Sequence, residues 1–235
     1  MKVLIGTPSH SWNLHVKYVD SLIRTLDLCK KIGIDVYHCF LCGESLVQLA
    51  RNELFKLAYD QQIDFLFFID DDMVWIPEDF VKLLNSGHPF IAAAGRKKIE
   101  EEEYAVNVGF DKEFRGTETQ VSVKGVGAAF MCLSKETIQK LYEDAPFYKG
   151  PKGIGKMVFD IGIVDGELYS EDHLFCKKWR DMGGEVFIDT TVTLGHIGEK
   201  QYTGNLQNFI QQKVIELNKD ILEKEKTSGC SGSSS

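Results

Sequence analysis

FLFFIDDDMVWIPEDF, residues 65–80, sets an unbroken apolar run against three adjacent carboxylates, Asp70, Asp71 and Asp72. The run FLFFI shows no alternation of polar and apolar residues. That is the pattern of a parallel strand buried on both faces. Pro77 suits the first turn of a short helix reaching about Leu84. Upstream, KVLIG (2–6) reads as a strand ended by Gly-Thr-Pro, and residues 14–32 carry apolar side chains at helical spacing before Gly33. IDVYHCF (34–40) predicts a second strand, and Ser45 with Gln48 matches a capping box opening the helix SLVQLARNELFKLAY. Strand–helix–strand–helix–strand is the order of an α/β domain with a parallel sheet. In such sheets ligands collect beyond the C-terminal strand ends, where Thr7, Pro8 and Asp70–Asp72 all fall.

The second half is less regular. PFIAAAG, EYAVNV, TQVSVKG and AAFMCLS read as shorter strands of a small mixed or antiparallel region, and Ser134 caps a helix through about Tyr142. A Gly- and Lys-rich loop, GPKGIGKM (150–157), follows. Ser170 caps a helix through Met182, stopped by Gly183-Gly184 before EVFIDTTVTLGHIG. Residues 205–226 predict an amphipathic helix with Leu206, Phe209, Ile210, Val214, Leu217 and Ile221 on one side, expected to pack on the core rather than form a dimer. The expected organisation is one domain over 1–226 and a flexible Ser/Gly tail over 227–235.

Composition narrows the class. A chain of 235 residues that is 43% hydrophobic and 26% charged has ample material for one core. A formal net charge of -8 argues against a nucleic-acid surface, which needs a basic stripe. No apolar run reaches the length of a membrane span, and MKVLIGTPSH turns polar too soon for a signal peptide. Cys39-x-x-Cys42 lacks the second pair of a zinc site, so the six cysteines read as reduced thiols of a cytosolic protein.

Three adjacent carboxylates cannot all stay ionised in a buried site without a compensating cation, and the alternative reading, a solvated acidic loop, is weakened by their place after the most apolar strand. Strand alternation would point Asp70 and Asp72 the same way. Hard oxygen ligands of this kind suit Mg²⁺ or Mn²⁺, which fill out their shells with waters and substrate phosphates. Glu171 and Asp172 of LYSEDHLFCKKW (168–179) sit in a first helical turn, where the dipole favours carboxylates, and by themselves read as ordinary helix-start charge. His196 lies between Gly195 and Gly198 after a β-branched run, His173 beside the acidic pair, and His10 in the turn after the first strand. Arg51 has two readings, a partner for phosphate or for the acidic motif, and an exposed helix charge. Gly125 and Gly127 either admit a close ligand or make a plain turn.

Together these pieces resemble the GT-A glycosyltransferases that use nucleotide-sugar donors, of the compact bacterial and viral type. The resemblance rests on Gly6-Thr7-Pro8, LARNEL around Arg51, the DxD-type Asp70-Asp71-Asp72, GVGAAFMCLS (125–134), Ser170-Glu171-Asp172 and His196, in that order. It implies a GT-A-like, Rossmann-like, mostly parallel sheet with flanking helices. It implies that Asp70 contacts the nucleoside, with Asp71 assisting, and that Asp72 and His196 bind the metal. It implies Asp172 as general base with Glu171 in reserve, and Thr7, Pro8, Arg51, Gly125 and Gly127 on the donor side. The implied activity is metal-dependent transfer of a hexose, from a UDP-sugar by family frequency, to a hydroxyl of a glycan or other acceptor. The chain would then work in the cytoplasm, that of the host if it is viral.

Three rival patterns weigh less. DDDMV fits the D-x-D-x-[TV] motif of haloacid-dehalogenase-type phosphohydrolases, with Asp70 as nucleophile, but that motif follows the first strand and runs into Gly. GPKGIGK has the letters of a phosphate-binding loop, but Met157 stands where Ser or Thr would hold Mg²⁺. A nucleotidyltransferase would carry a Gly-rich N-terminal signature that is absent here. The non-enzyme alternative is a metal- or carbohydrate-binding module that lost turnover.

Overall fold

In the computed structural model, which describes residues 1–107, 116–150 and 153–229, with side chains described through Lys219, strand and helix alternate first. The order is β1 (Lys2–Ser9), α1 (Val16–Lys31), β2 (Asp35–Cys42), α2 (Val47–Asp60), β3 (Phe65–Ile69), β4 (Met73–Val74), α3 (Pro77–Leu84) and β5 (Phe90–Ala92). Then come β6 (Val106–Asn107), β7 (Gln120–Val123), β8 (Gly125–Val126), β9 (Phe130–Ser134), α4 (Lys135–Asp144), β10 (Phe147–Gly150) and β11 (Gly153–Lys156). The chain continues with β12 (Gly162–Val164), β13 (Glu167–Tyr169), α5 (Glu171–Asp181), β14 (Val186–Asp189), β15 (Thr193–Ile197), β16 (Gln201–Asn205) and α6 (Leu206–Gly229).

Seven strands form the central sheet in the order β2-β1-β3-β9-β5-β14-β7. β1 pairs in parallel with β2 and β3, and β14 with β5, whereas β9 runs against both β3 and β5, and β7 against β14. Five strands therefore share one direction in a mixed sheet with helices on both faces. The uninterrupted apolar run of β3 explains the layering. Leu66 and Phe68 join a core with Leu54, Phe55 and Ile138 on one face, while Phe67 and Ile69 join Tyr18, Leu22 and Phe80 on the other.

Several sequence-based expectations change. AAFMCLS, expected only as one of the shorter strands of the second half, lies in the middle of the main sheet as β9, because its own run of buried residues needs cover on both faces. The Ser45–Gln48 capping box does not form: α2 starts at Val47 behind Leu46, with no side-chain cap, and Ser45 lines a cleft instead. Ser134 does cap α4 by accepting the Thr137 N–H, but the Ser170 hydroxyl turns to Asp172 rather than to the α5 backbone. The expected loop over 150–157 is largely the β10–β11 hairpin, apart from residues 151 and 152, which lie outside the described residues.

A second hairpin, β12–β13, turns on Asp165 and Gly166, both at positive φ (53° and 84°). The Asp-Gly pair of VDGE, set between the short apolar runs Ile163-Val164 and Leu168-Tyr169, is its signature. Among the described side chains of helix α6, Leu206 and Phe209 pack on the body while Ile210, Val214 and Leu217 are exposed, contrary to the expected packing of that apolar side; the Ile221 side chain lies outside the described residues. It runs to Gly229, and residues 230–235 lie outside the described residues. Among the described residues no helix is long and apolar enough to cross a membrane, and the five described cysteines, Cys39 and Cys42 included, form no disulfide.

Candidate active site

The apolar strand β3 delivers the acidic motif to the sheet edge, but the strand ends at Ile69. The Met73 N–H donates to the Asp70 carbonyl at 3.1 Å, closing a turn over Asp70–Met73. A turn does not alternate like a strand, so the three carboxylates go to three partners. Asp70 and Asp72 do not point together as expected. Asp70 accepts both Arg51 Nη2 contacts, at 3.0 and 3.2 Å. Asp71 accepts the Ser9 hydroxyl at 2.5 Å. Asp72 meets His196 and Lys98.

With Pro8, Ser9, His10, Ser45 and Val47, the three aspartates line a cleft of about 200 Å³ at the C-terminal end of β1 and β3. Thr7 lies beneath it, fully buried, its hydroxyl 2.5 Å from that of Tyr18. Burial raises the Asp71 carboxyl against the Ser9 hydrogen bond, with Asp72 and Asp70 adding to the rise.

His196 reaches the motif through a second small sheet. β15 pairs with β4 so that His196 stands opposite Met73, and the Ile197 N–H donates to the Asp72 carbonyl at 2.8 Å. The Nδ1 of His196 is 2.8 Å from the Arg96 carbonyl, which can only accept, so Nδ1 carries the proton. In the neutral ring Nε2 is then a lone pair, 3.3 Å from Asp72 Oδ1, and that buried oxygen has no hydrogen-bond partner among the described residues. In that state two acceptors face each other across a gap that a proton on Nε2, forming the Asp72–His196 ion pair, or a metal cation can fill, and an imidazole fixed by a carbonyl behind it is the usual arrangement of a metal ligand. Burial works to raise the Asp72 carboxyl, but His196 and Lys98 outweigh it and hold it below the ordinary carboxylate range. Burial lowers His196, and Asp72 with the Arg96 carbonyl more than reverses it. Asp72 and His196 thus suit a divalent cation as two protein ligands. Among the described residues no group of three such side chains stands together, since Asp70 is turned to Arg51.

Arg51 is 4% exposed and forks, with Nη2 on Asp70 and Nη1 on Glu171 Oε1 at 2.5 Å. Burial works to lower its pKa, but Asp70 and Glu171 outweigh it, and the net direction is upward. This ties the acidic turn to the first turn of α5. Glu171 is occupied by that ion pair. Asp172 uses Oδ1 for the Ser170 hydroxyl and the His173 N–H (2.7 Å). Its Oδ2 lies 3.5 Å from where a side chain on Gly127 would begin. Gly127 therefore keeps the space beside Asp172 open, while Gly125 is required for packing: a Cβ there would stand 2.8 Å from His173 Nδ1.

Sequence reading missed the supports. Asn52, next to Arg51, exchanges two hydrogen bonds with the Phe159 backbone (2.9 and 2.8 Å), and Lys178 donates to the Met157 and Val158 carbonyls. Segment 157–159 is thereby pinned to α2 and α5, with the Phe159 ring 5.9 Å from the Arg51 guanidinium. Ser9 had a signal in its place beside Thr7-Pro8, whereas Lys98 sits in a charge run that reads as solvated surface.

The fold and site define an α/β domain with an acidic cleft at its strand ends. The structure of A197 from STIV is similar over 84% of this chain and 86% of that one, at 19% identity and a TM-score of 0.54, which establishes a shared fold. The inositol-1-phosphate CTP transferase from T. maritima overlaps 83% of this chain and 88% of that one at 10% identity and a TM-score of 0.46. A glycosyltransferase involved in the glycosylation of the major capsid of PBCV-1 overlaps 60% and 63% at 8% identity and a TM-score of 0.33. At those two TM-scores nothing further follows. No model of a known protein family matches the chain, and no curated protein sequence does.

Proposed function

We propose that the chain is a GT-A-type glycosyltransferase, dependent on Mn²⁺ or Mg²⁺, that moves a hexose from a nucleoside-diphosphate sugar, UDP favoured, to a hydroxyl of a glycan or other acceptor with inversion. The observation that carries this reading is the buried Asp72 Oδ1 standing 3.3 Å from the Nε2 of a carbonyl-fixed His196 beside the acidic cleft. A cation bound by these two residues would neutralise charge developing on a departing diphosphate. Asp70 and Asp71 line the cleft where the nucleoside would lie, with Pro8 and Ser9 as its floor. Asp172 is the base: its Oδ2 takes the acceptor hydroxyl proton while the acceptor oxygen bonds the anomeric carbon and the electron pair of the breaking bond leaves with the diphosphate. Glu171 is held by Arg51 and positions α5 rather than moving a proton. A phosphohydrolase with Asp70 as nucleophile is less well supported, since Arg51 engages both oxygens of that carboxylate.

Thermal unfolding with Mn²⁺ alone, then with Mn²⁺ plus UDP, GDP or ADP, tests the reading. Binding to the folded state alone raises stability by about 2.7 kcal/mol at a hundredfold excess over Kd. A metal-dependent rise with one diphosphate, lost in Asp72→Ala and kept in Asp172→Ala, is expected, with transfer lost in both. No rise with any diphosphate overturns the assignment, and a product that keeps the donor's anomeric configuration overturns inversion.

A further inference from the structure

The stretch GRKKIEEEEY (95–104) looks like a solvated charge run, yet the fold holds it as a built support. Arg96 and Tyr104 form an antiparallel bridge, and the Lys97 N–H donates to the Glu103 carbonyl at 2.8 Å. The Arg96 guanidinium donates to the Thr203 and Glu100 carbonyls at 3.0 and 2.9 Å, and Lys200 grips the Glu100 carboxylate at 2.7 Å. The loop is thus clamped to β15 and β16, the elements that present His196. The stem of Lys98 lies across Gly198, where a Cβ would stand 3.2 Å from Lys98 Cδ. Its ammonium ends on Asp72 Oδ2, the oxygen opposite the one that faces His196.

We propose that Lys98 is a movable counter-ion of this site: it neutralises Asp72 in the resting protein, yields to a divalent cation, and turns onto the diphosphate. The inference rests on the metal-dependent reading above and adds a residue to it. An ammonium on Asp72 weakens the pull of that carboxylate on any second cation. Lys98 is 37% exposed, so its long stem leaves the carboxylate at little cost, the ordinary behaviour of an exposed lysine pair. A diphosphate drawn to a cation on Asp72 presents anionic oxygens beside the vacated ammonium, and a charge-assisted contact forms there.

The test is Mn²⁺ binding, read from the spin-resonance signal of the free ion, for the native chain, Lys98→Met and Asp72→Asn. Lys98→Met is expected to bind Mn²⁺ alone about five- to tenfold more tightly, because the competing ammonium is gone. With Mn²⁺ saturating, it is expected to bind pyrophosphate about tenfold more weakly. Asp72→Asn is expected to lose Mn²⁺ binding. If Asp72→Asn loses the metal but Lys98→Met binds both probes as the native chain does, the role of Lys98 is refuted while the metal site stands. If Asp72→Asn binds Mn²⁺ as well as the native chain, the metal-site reading itself is refuted.

Discussion

Arg51 shows what a single buried charge does here. Its guanidinium is nearly sealed from water between Asp70 and Glu171, so each partner's charge is what makes the others tolerable. Arg51→Met leaves two carboxylates in partial burial without a counter-charge, a loss of about 3–5 kcal/mol in urea unfolding. Restoring the balance with Glu171→Gln in the same chain should recover part of that, which a purely steric role for Arg51 would not allow. Asp189 is a second buried carboxylate, satisfied by Gln120 (3.1 Å), the Thr191 N–H (3.0 Å) and Lys82 (3.3 Å). Burial raises its pKa, but the Thr191 and Gln120 hydrogen bonds and Lys82 pull it below the ordinary carboxylate range. A depressed folded pKa means stability that is full above the unfolded value and lost as pH falls through the folded one. Asp189→Asn should therefore cost about 1–3 kcal/mol from pH 5 to 8, with the gap to the native chain closing below about pH 4. At this scale the sequence singles out Asp72, Asp172 and His196 as candidates because each stands in a short motif of fixed spacing. It does not single out their partners: strand alternation fails one residue into a turn, which is why Asp70 faces Arg51 instead of joining Asp72.

Between α4 and α5 the chain makes two hairpins that carry little core of their own. Besides the ties of Tyr148 to Glu53 and of Lys156 to the Tyr142 and Glu143 carbonyls, they are held by the segment 157–159 between them, pinned by Asn52 on α2 and Lys178 on α5. Asn52 is buried, and its amide is the partner of both the Phe159 N–H and the Phe159 carbonyl. Asn52→Ala strands those two backbone groups, at about 2–4 kcal/mol. The Phe159 amide should then exchange its hydrogen much faster than the amides of β3; equal protection in the two chains would show that the pin is dispensable. From Phe159 the chain reaches Glu171 through β12 and β13, so the pin also fixes the approach to Asp172. The first of these hairpins was hidden by its Gly and Lys content, which reads as a loop. The second has a signal in VDGE that the sequence reading passed over, since Asp-Gly supplies the two positive-φ residues of a tight turn. Nothing in local sequence marks Asn52 as a clasp, because its partners lie 107 residues away.

Across the whole molecule, the alternating first half was readable because each parallel strand needs a crossover helix, and both leave a period in the sequence. The place of β9 was not, since its neighbours β3 and β5 both precede it in the chain and a buried run does not state its direction. The same limit explains α6. Leu206, Phe209, Ile210, Val214 and Leu217 make an apolar stripe at helical spacing, and such a stripe implies cover without saying where it is found. Among the described side chains the first turn finds it on this body and the later ones do not: Leu206 is 5% exposed, whereas Val214 and Leu217 are 50% and 60% exposed. Leu206→Ala should accordingly cost about 2–4 kcal/mol, the range for emptying a packed leucine site. Val214→Ser with Leu217→Ser should stay within about 0.5 kcal/mol of the native chain in dilute solution, as substitutions at solvent-facing positions do. Thermal unfolding of the three chains at one low concentration separates the cases. A loss of more than about 1 kcal/mol from the double serine change would mean that this helix face is covered after all, by the body or by a second copy. Repeating the scan at tenfold higher concentration decides between them, because only cover by a second copy makes the midpoint rise with concentration.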